Sequence, residues 1–131
     1  MGFAEENFNK LIDGLSLKLL ETIYEIVPWS EIGITGRDKW RVLAKRVMVA
    51  KGEDFQEFLH NVVREIAGDR FYYTTTKEGN IVYLGREIEE LAKEADTQDT
   101  QKKVIEYLKS RAIPLVIRLS AKLAQEGKEG E

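Results

Sequence analysis

Apolar residues recur every three or four positions along most of this chain, the period of a helix with one buried side. The first such stripe predicts a helix over residues 4–27. Phe8, Leu11, Ile12, Leu15, Leu19, Ile23 and Ile26 form one face, and Leu17, Leu20, Tyr24 and Val27 a second. Two apolar faces predict burial on two sides. Gly14 weakens this helix slightly, and Pro28 ends it, because the residue before proline avoids helical geometry. A short connection, PWSEIGI, leads to a second helix between Thr35 and Gly52. Thr35 and Asp38 have the spacing of a capping box, with Asp in place of Glu. Gly52 offers the left-handed residue on which helices often stop. Trp40, Leu43, Ala44 and Val47 fall on one face of it.

A third helix is expected over about Glu53 to Ala67, with Phe55, Phe58, Leu59, Val62, Val63 and Ile66 inward and Gly68 as its stop. The rhythm then changes. RFYYTTTKEGNIVYL holds two runs of aromatic and β-branched residues around Lys77-Glu78-Gly79, the pattern of a β-hairpin. Helical spacing returns from Gly85 to Ala95, with Ile88, Leu91, Ala92 and Ala95 inward. After a polar turn it continues over about Gln98 to Gln125. Val104, Ile105, Leu108 and Ala112 precede Pro114, and Leu115, Val116, Leu119 and Leu123 follow it. Pro114 must kink that helix or open a new one in its first turn. The expected fold is mainly α, a five- or six-helix bundle with one small β-hairpin at about residues 71–84. One domain covers residues 1–125, and residues 126–131 form a polar, disordered tail.

Charge changes the picture at one place. The 131 residues carry a net charge of −3, yet six bases crowd between Gly36 and Lys51 against the single acid Asp38. They are Arg37, Lys39, Arg41, Lys45, Arg46 and Lys51. Residues 1–32 hold two bases and six acids, and residues 53–84 three and six. Arg37, Arg41 and Lys45 step by four, so on a helix they form a ridge beside the buried seam. Cations spaced this way can lie along a phosphate backbone, although blocks of like charge are often only solvated surface. A sequence pI of 5.4 argues against indiscriminate coating of nucleic acid.

The chemistry of the remaining residues points away from catalysis. There is no cysteine, which removes thiolate nucleophiles, thiolate metal sites and disulfides. His60, flanked by Glu57 and Arg64, is the one histidine and reads as a surface residue. Glu87, Glu89, Glu90 and Glu94 fan around their helix and read as a solvated face. No phosphate-binding glycine loop is present, and Gly33 and Gly36 read as helix-entry geometry. Trp29, Trp40, Tyr72, Tyr73 and Tyr83 are expected chiefly to cover the core, although exposed aromatics beside cations can stack on unpaired bases. No cofactor or metal is implied. The absence of a long apolar run and the acidic start MGFAEENF predict a cytoplasmic protein without a membrane partner. Abundant Lys and Glu with no Cys fits a thermophile.

The order helix, extended piece, helix, helix, hairpin, helix resembles that of winged-helix domains over about residues 4–95, with RFYYTTTKEGNIVYL as the wing. There the presumed reading helix begins Glu53-Asp54 and carries Glu57, which would face phosphates. The helical body, that same insertion and the apolar final helix IPLVIRLSAKLA resemble the small subunit of archaeal type I-A CRISPR effector complexes. The resemblance implies a non-catalytic subunit that holds RNA or single-stranded DNA by its backbone beside other subunits, including copies of itself. Arg37, Arg41, Lys45 and Arg46 are the contacts expected from charge. A self-assembling scaffold or virion protein is a further class that the composition permits.

Overall fold

The computed structural model describes residues 2–68 and 82–127, with side chains for residues 5–68 and 89–127. Six helices run through them: α1 (Gly2–Ile26), α2 (Asp38–Val49), α3 (Phe55–Ala67), α4 (Val82–Ala95), α5 (Gln98–Ser110) and α6 (Ala112–Gln125). The helical bundle expected from apolar spacing is therefore present. Among the described residues there is no strand. Most of the expected hairpin lies outside those residues. Its last three, 82–84, are helical and open α4, so the second strand does not reach Leu84. The spacing Leu84, Ile88, Leu91, Ala95 shows why: the helical stripe runs back through the end of the β-like run.

The long, two-faced α1 is central and packs against α3, α4, α5 and α6. The described residues share one continuous core. Phe55, Phe58, Leu19, Leu20, Ile23, Leu43, Leu59, Leu108 and Leu119 are fully buried in it. Burying a Phe or Leu side chain completely stabilises a fold by roughly 1.5–3 kcal/mol. Ser16 is the buried polar residue of α1, and its hydroxyl donates to the Ile12 carbonyl at 2.6 Å. Back-bonding of this kind satisfies the buried hydroxyl, which also lies 3.4 Å from the Val104 carbonyl of α5. Phe8 and Leu11, expected on the apolar face, are 39% exposed, and the buried line of α1 starts at Ile12.

Helix ends follow local chemistry, with two corrections. Asp54 caps α3: its carboxylate accepts from the Glu57 amide at 2.8 Å, and the Glu57 carboxylate accepts from the Glu53 amide at 3.3 Å. Thr97 caps α5 in the same manner, accepting from the Thr100 amide at 3.1 Å. Gly68 stops α3 at φ 58°. The Thr35–Asp38 box is not formed, since the residue before α2 is Arg37 in helical geometry with no side-chain cap. The approach to α2 instead turns through Gly33 and Gly36 at φ 75° and 55°, where a side chain would be strained. Gly52 is not the left-handed stop expected of it. Helix α2 ends at Val49, Ala50 leaves it in extended geometry, and a Cβ at Gly52 would lie 2.6 Å from the backbone of Phe58. Glycine is required there for close approach to α3. Of the two outcomes expected at Pro114, a new helix is the one observed: the stretch over 98–125 breaks at Arg111 (φ −117°, ψ 19°), and Pro114 lies inside the first turn of α6. Glu126 and Gly127 of the expected tail still form the turn that ends α6. No helix among the described residues is long and apolar enough to cross a membrane.

Candidate nucleic-acid interface

Helix α2 is fixed by its inward line. Lys39, Leu43, Val47 and Ala50 are buried along it. Its first turn is held by an aromatic cluster. Trp40 stacks on Tyr24 of α1, and Tyr24 in turn meets the buried Trp29, whose indole N–H donates to the Tyr24 carbonyl at 2.9 Å. Both tryptophans thus serve the core, as expected of them. Lys39 belongs to this cluster, with its ammonium 5.8 Å from the Tyr24 ring centre. At 6% exposure, it is withdrawn from the cationic surface on which the sequence pattern set it. The cause is its register: Lys39, Leu43 and Val47 step by four along the buried side.

The other five bases are exposed. Arg37, Arg41 and Lys45 line one side of α2 together. Arg41 has a carboxylate neighbour in Asp38 at 3.7 Å, where both side chains are about seven-tenths exposed and the attraction is heavily screened. Among the described residues, no carboxylate pairs with Arg37, Lys45, Arg46 or Lys51. Arg46 lies on the opposite flank of α2 and Lys51 in the loop beyond it. Four of the six cations therefore sit within α2, with Arg37 at its N-cap and Lys51 beyond its end, and only Arg37, Arg41 and Lys45 form the ridge.

Beside the ridge runs a groove of about 530 Å³ between α2 and α6. Trp40, Ala44 and Met48 line its α2 side, and Ile113, Val116 and Ile117 its α6 side. Ile113 and Ile117 are 56% and 63% exposed, and Met48 is 45% exposed. The break at Arg111 sets this face. It turns α6 so that Ala112, Leu115, Val116, Leu119 and Leu123 are buried, and the surplus apolar pair at 113 and 117 lies outside. The signal in the sequence was that surplus: IPLVI holds more apolar residues than one stripe can bury.

Other candidates remain separate from this site. His60 is half-buried, and burial together with the nearby Arg64 cation lowers its pKa below the ordinary 6.5. Glu94 pairs with Lys18 at 2.9 Å, while Glu89 and Glu90 are exposed. No group of three or more metal-binding side chains gathers among the described residues. Tyr72 and Tyr73 lie outside the described residues. No family model matches the chain, and no curated protein or solved structure matches it either.

Proposed function

We propose that this protein is a non-catalytic subunit of a larger ribonucleoprotein assembly, contacting nucleic-acid backbone through α2. The observation that carries the reading is the exposed row Arg37, Arg41, Lys45 on a chain whose net charge is −3. Successive members of the row rise by about 6 Å along the helix axis. Cations at such intervals neutralise a run of phosphates without reading bases, which gives affinity without sequence choice. The likeness to small subunits of archaeal type I-A CRISPR effector complexes accords with this role and supplies the expected setting, beside other protein subunits.

A salt titration with single-stranded and duplex oligonucleotides tests it. Binding should be indifferent to sequence and weaken steeply with salt. Arg41→Glu/Lys45→Glu should weaken it and flatten the log–log salt slope by about 0.7–0.9 for each phosphate no longer neutralised. Unchanged affinity and slope in that variant would remove α2 from the role.

A further inference from the structure

We infer that the α2–α6 groove docks a helix of another protein, one that is apolar along one edge and acidic along the other. Exposed Met48, Ile113 and Ile117 line the same groove, so their apolar surface is gathered in one place rather than scattered singly. Its chemistry is aliphatic and its shape elongated. The α2 side from Arg37 to Met48 spans eleven residue steps, about 17 Å, or three helical turns. The small Ala44 lets a partner backbone approach, and Met48 adapts to irregular side chains. This is the geometry by which amphipathic helices seat in grooves.

Charge selects the occupant. Arg37, Arg41 and Lys45 line the α2 side of the groove over eight of those eleven steps, about 12 Å. Carboxylates at helical intervals on the ligand would meet them in register. A second copy docked through the same face would set these cations against their own counterparts. Unpaired bases would find one aromatic side chain in the groove, Trp40, with one face already taken by Tyr24. Arg41 and Lys45 are shared with the phosphate-binding row, so helix and oligonucleotide should exclude each other. That last consequence rests on the proposed function, whereas the groove itself does not.

The probe is a labelled synthetic helix of about four turns, with Leu at helical spacing and Glu elsewhere. Its control carries Lys in place of Glu. Anisotropy titration with the full chain should show the Glu helix binding at least about tenfold tighter than the control. Ile113→Ser/Ile117→Ser and, separately, Arg41→Glu/Lys45→Glu should each weaken it by about tenfold or more. Both isoleucines are exposed, so the serine variant should keep its melting temperature, which is measured alongside. No binding of the Glu helix, equal binding of the Lys helix, or indifference to the serine pair would overturn the inference. So would self-association of the chain that the serine pair abolishes, since that would give the groove to a second copy. Oligonucleotide binding that fails while the Glu helix binds would instead sink the nucleic-acid reading alone. Joint binding of both ligands would overturn the exclusion.

Discussion

Tyr24 and Trp40 stack face to face, with 4.4 Å between ring centres and 8° between planes. The pair joins the last turns of α1 to the first turn of α2, where no side-chain cap holds the helix. Trp40 is half-buried, so its removal costs less than a full core deletion but also loses the stacking. Trp40→Ala should destabilise the protein by about 2 kcal/mol in urea unfolding. The near-ultraviolet circular dichroism of the aromatic cluster should collapse with it. Retention of that signal would mean that Trp29 and Tyr24 order the cluster without Trp40.

Asp13 ties three helices together. It accepts from the Tyr107 hydroxyl of α5 at 3.0 Å and from the Arg118 guanidinium of α6 at 2.7 and 3.0 Å. The Arg118 hydrogen bond lowers the Asp13 pKa below its ordinary 3.8; partial burial opposes this, and the Tyr107 hydroxyl and the Arg118 charge add to the lowering. A carboxylate depressed in the fold adds stability that is fully present above its unfolded pKa and fades as pH falls through the folded one. Asp13→Asn should therefore cost about 1 kcal/mol at neutral pH, discounted for the half-exposed Arg118. The melting-temperature gap between variant and parent should begin to close as pH falls below about 4, where the unfolded carboxyl protonates, and vanish only below the lower folded pKa. A constant gap from pH 7 to 2 would show that charge is not the cause.

Two glycines should respond in opposite directions to alanine. At Gly14, inside α1, nothing stands within 4 Å of an added Cβ, so Gly14→Ala should stabilise by about 0.5–1 kcal/mol. At Gly52 the same carbon would lie 2.6 Å from the Phe58 Cα and amide nitrogen. Gly52→Ala should destabilise by about 1–3 kcal/mol. Paired chemical denaturation curves check both.

The carboxylates at the start of α3 face their own backbone. Asp54→Ala should cost about 1 kcal/mol by freeing the Glu57 amide, measured by thermal unfolding. Helix α3 amides should gain faster hydrogen exchange in its first turn and not in its last.

Much of the bundle was legible because helical periodicity is a local property. Leu15, Leu19, Ile23, Phe58, Val62 and Leu108 were all expected inward and are buried. What the pattern could not supply was tertiary choice. Lys39 reads as one more surface cation, and only the position of Tyr24 across the bundle shows where its ammonium goes. Gly52 reads as a helix stop, and only the nearness of α3 shows that it is a point of close approach. Of the candidate site, the row Arg37, Arg41, Lys45 follows from spacing alone. The groove beside it does not, because it depends on α6 returning along α2 after the break at Arg111.

Helix α6 also carries cations, but they turn away from the groove. Arg118 is bound to Asp13, and Lys122 to Glu21 at 2.9 Å. The channel is therefore positive along its α2 bank and electrically quiet along the other. A ligand with a charged margin is left with one way up: its acidic side must lie toward α2, and rolling it over would strand carboxylates against isoleucine. Orientation would thus be selected before any individual residue of the ligand is recognised.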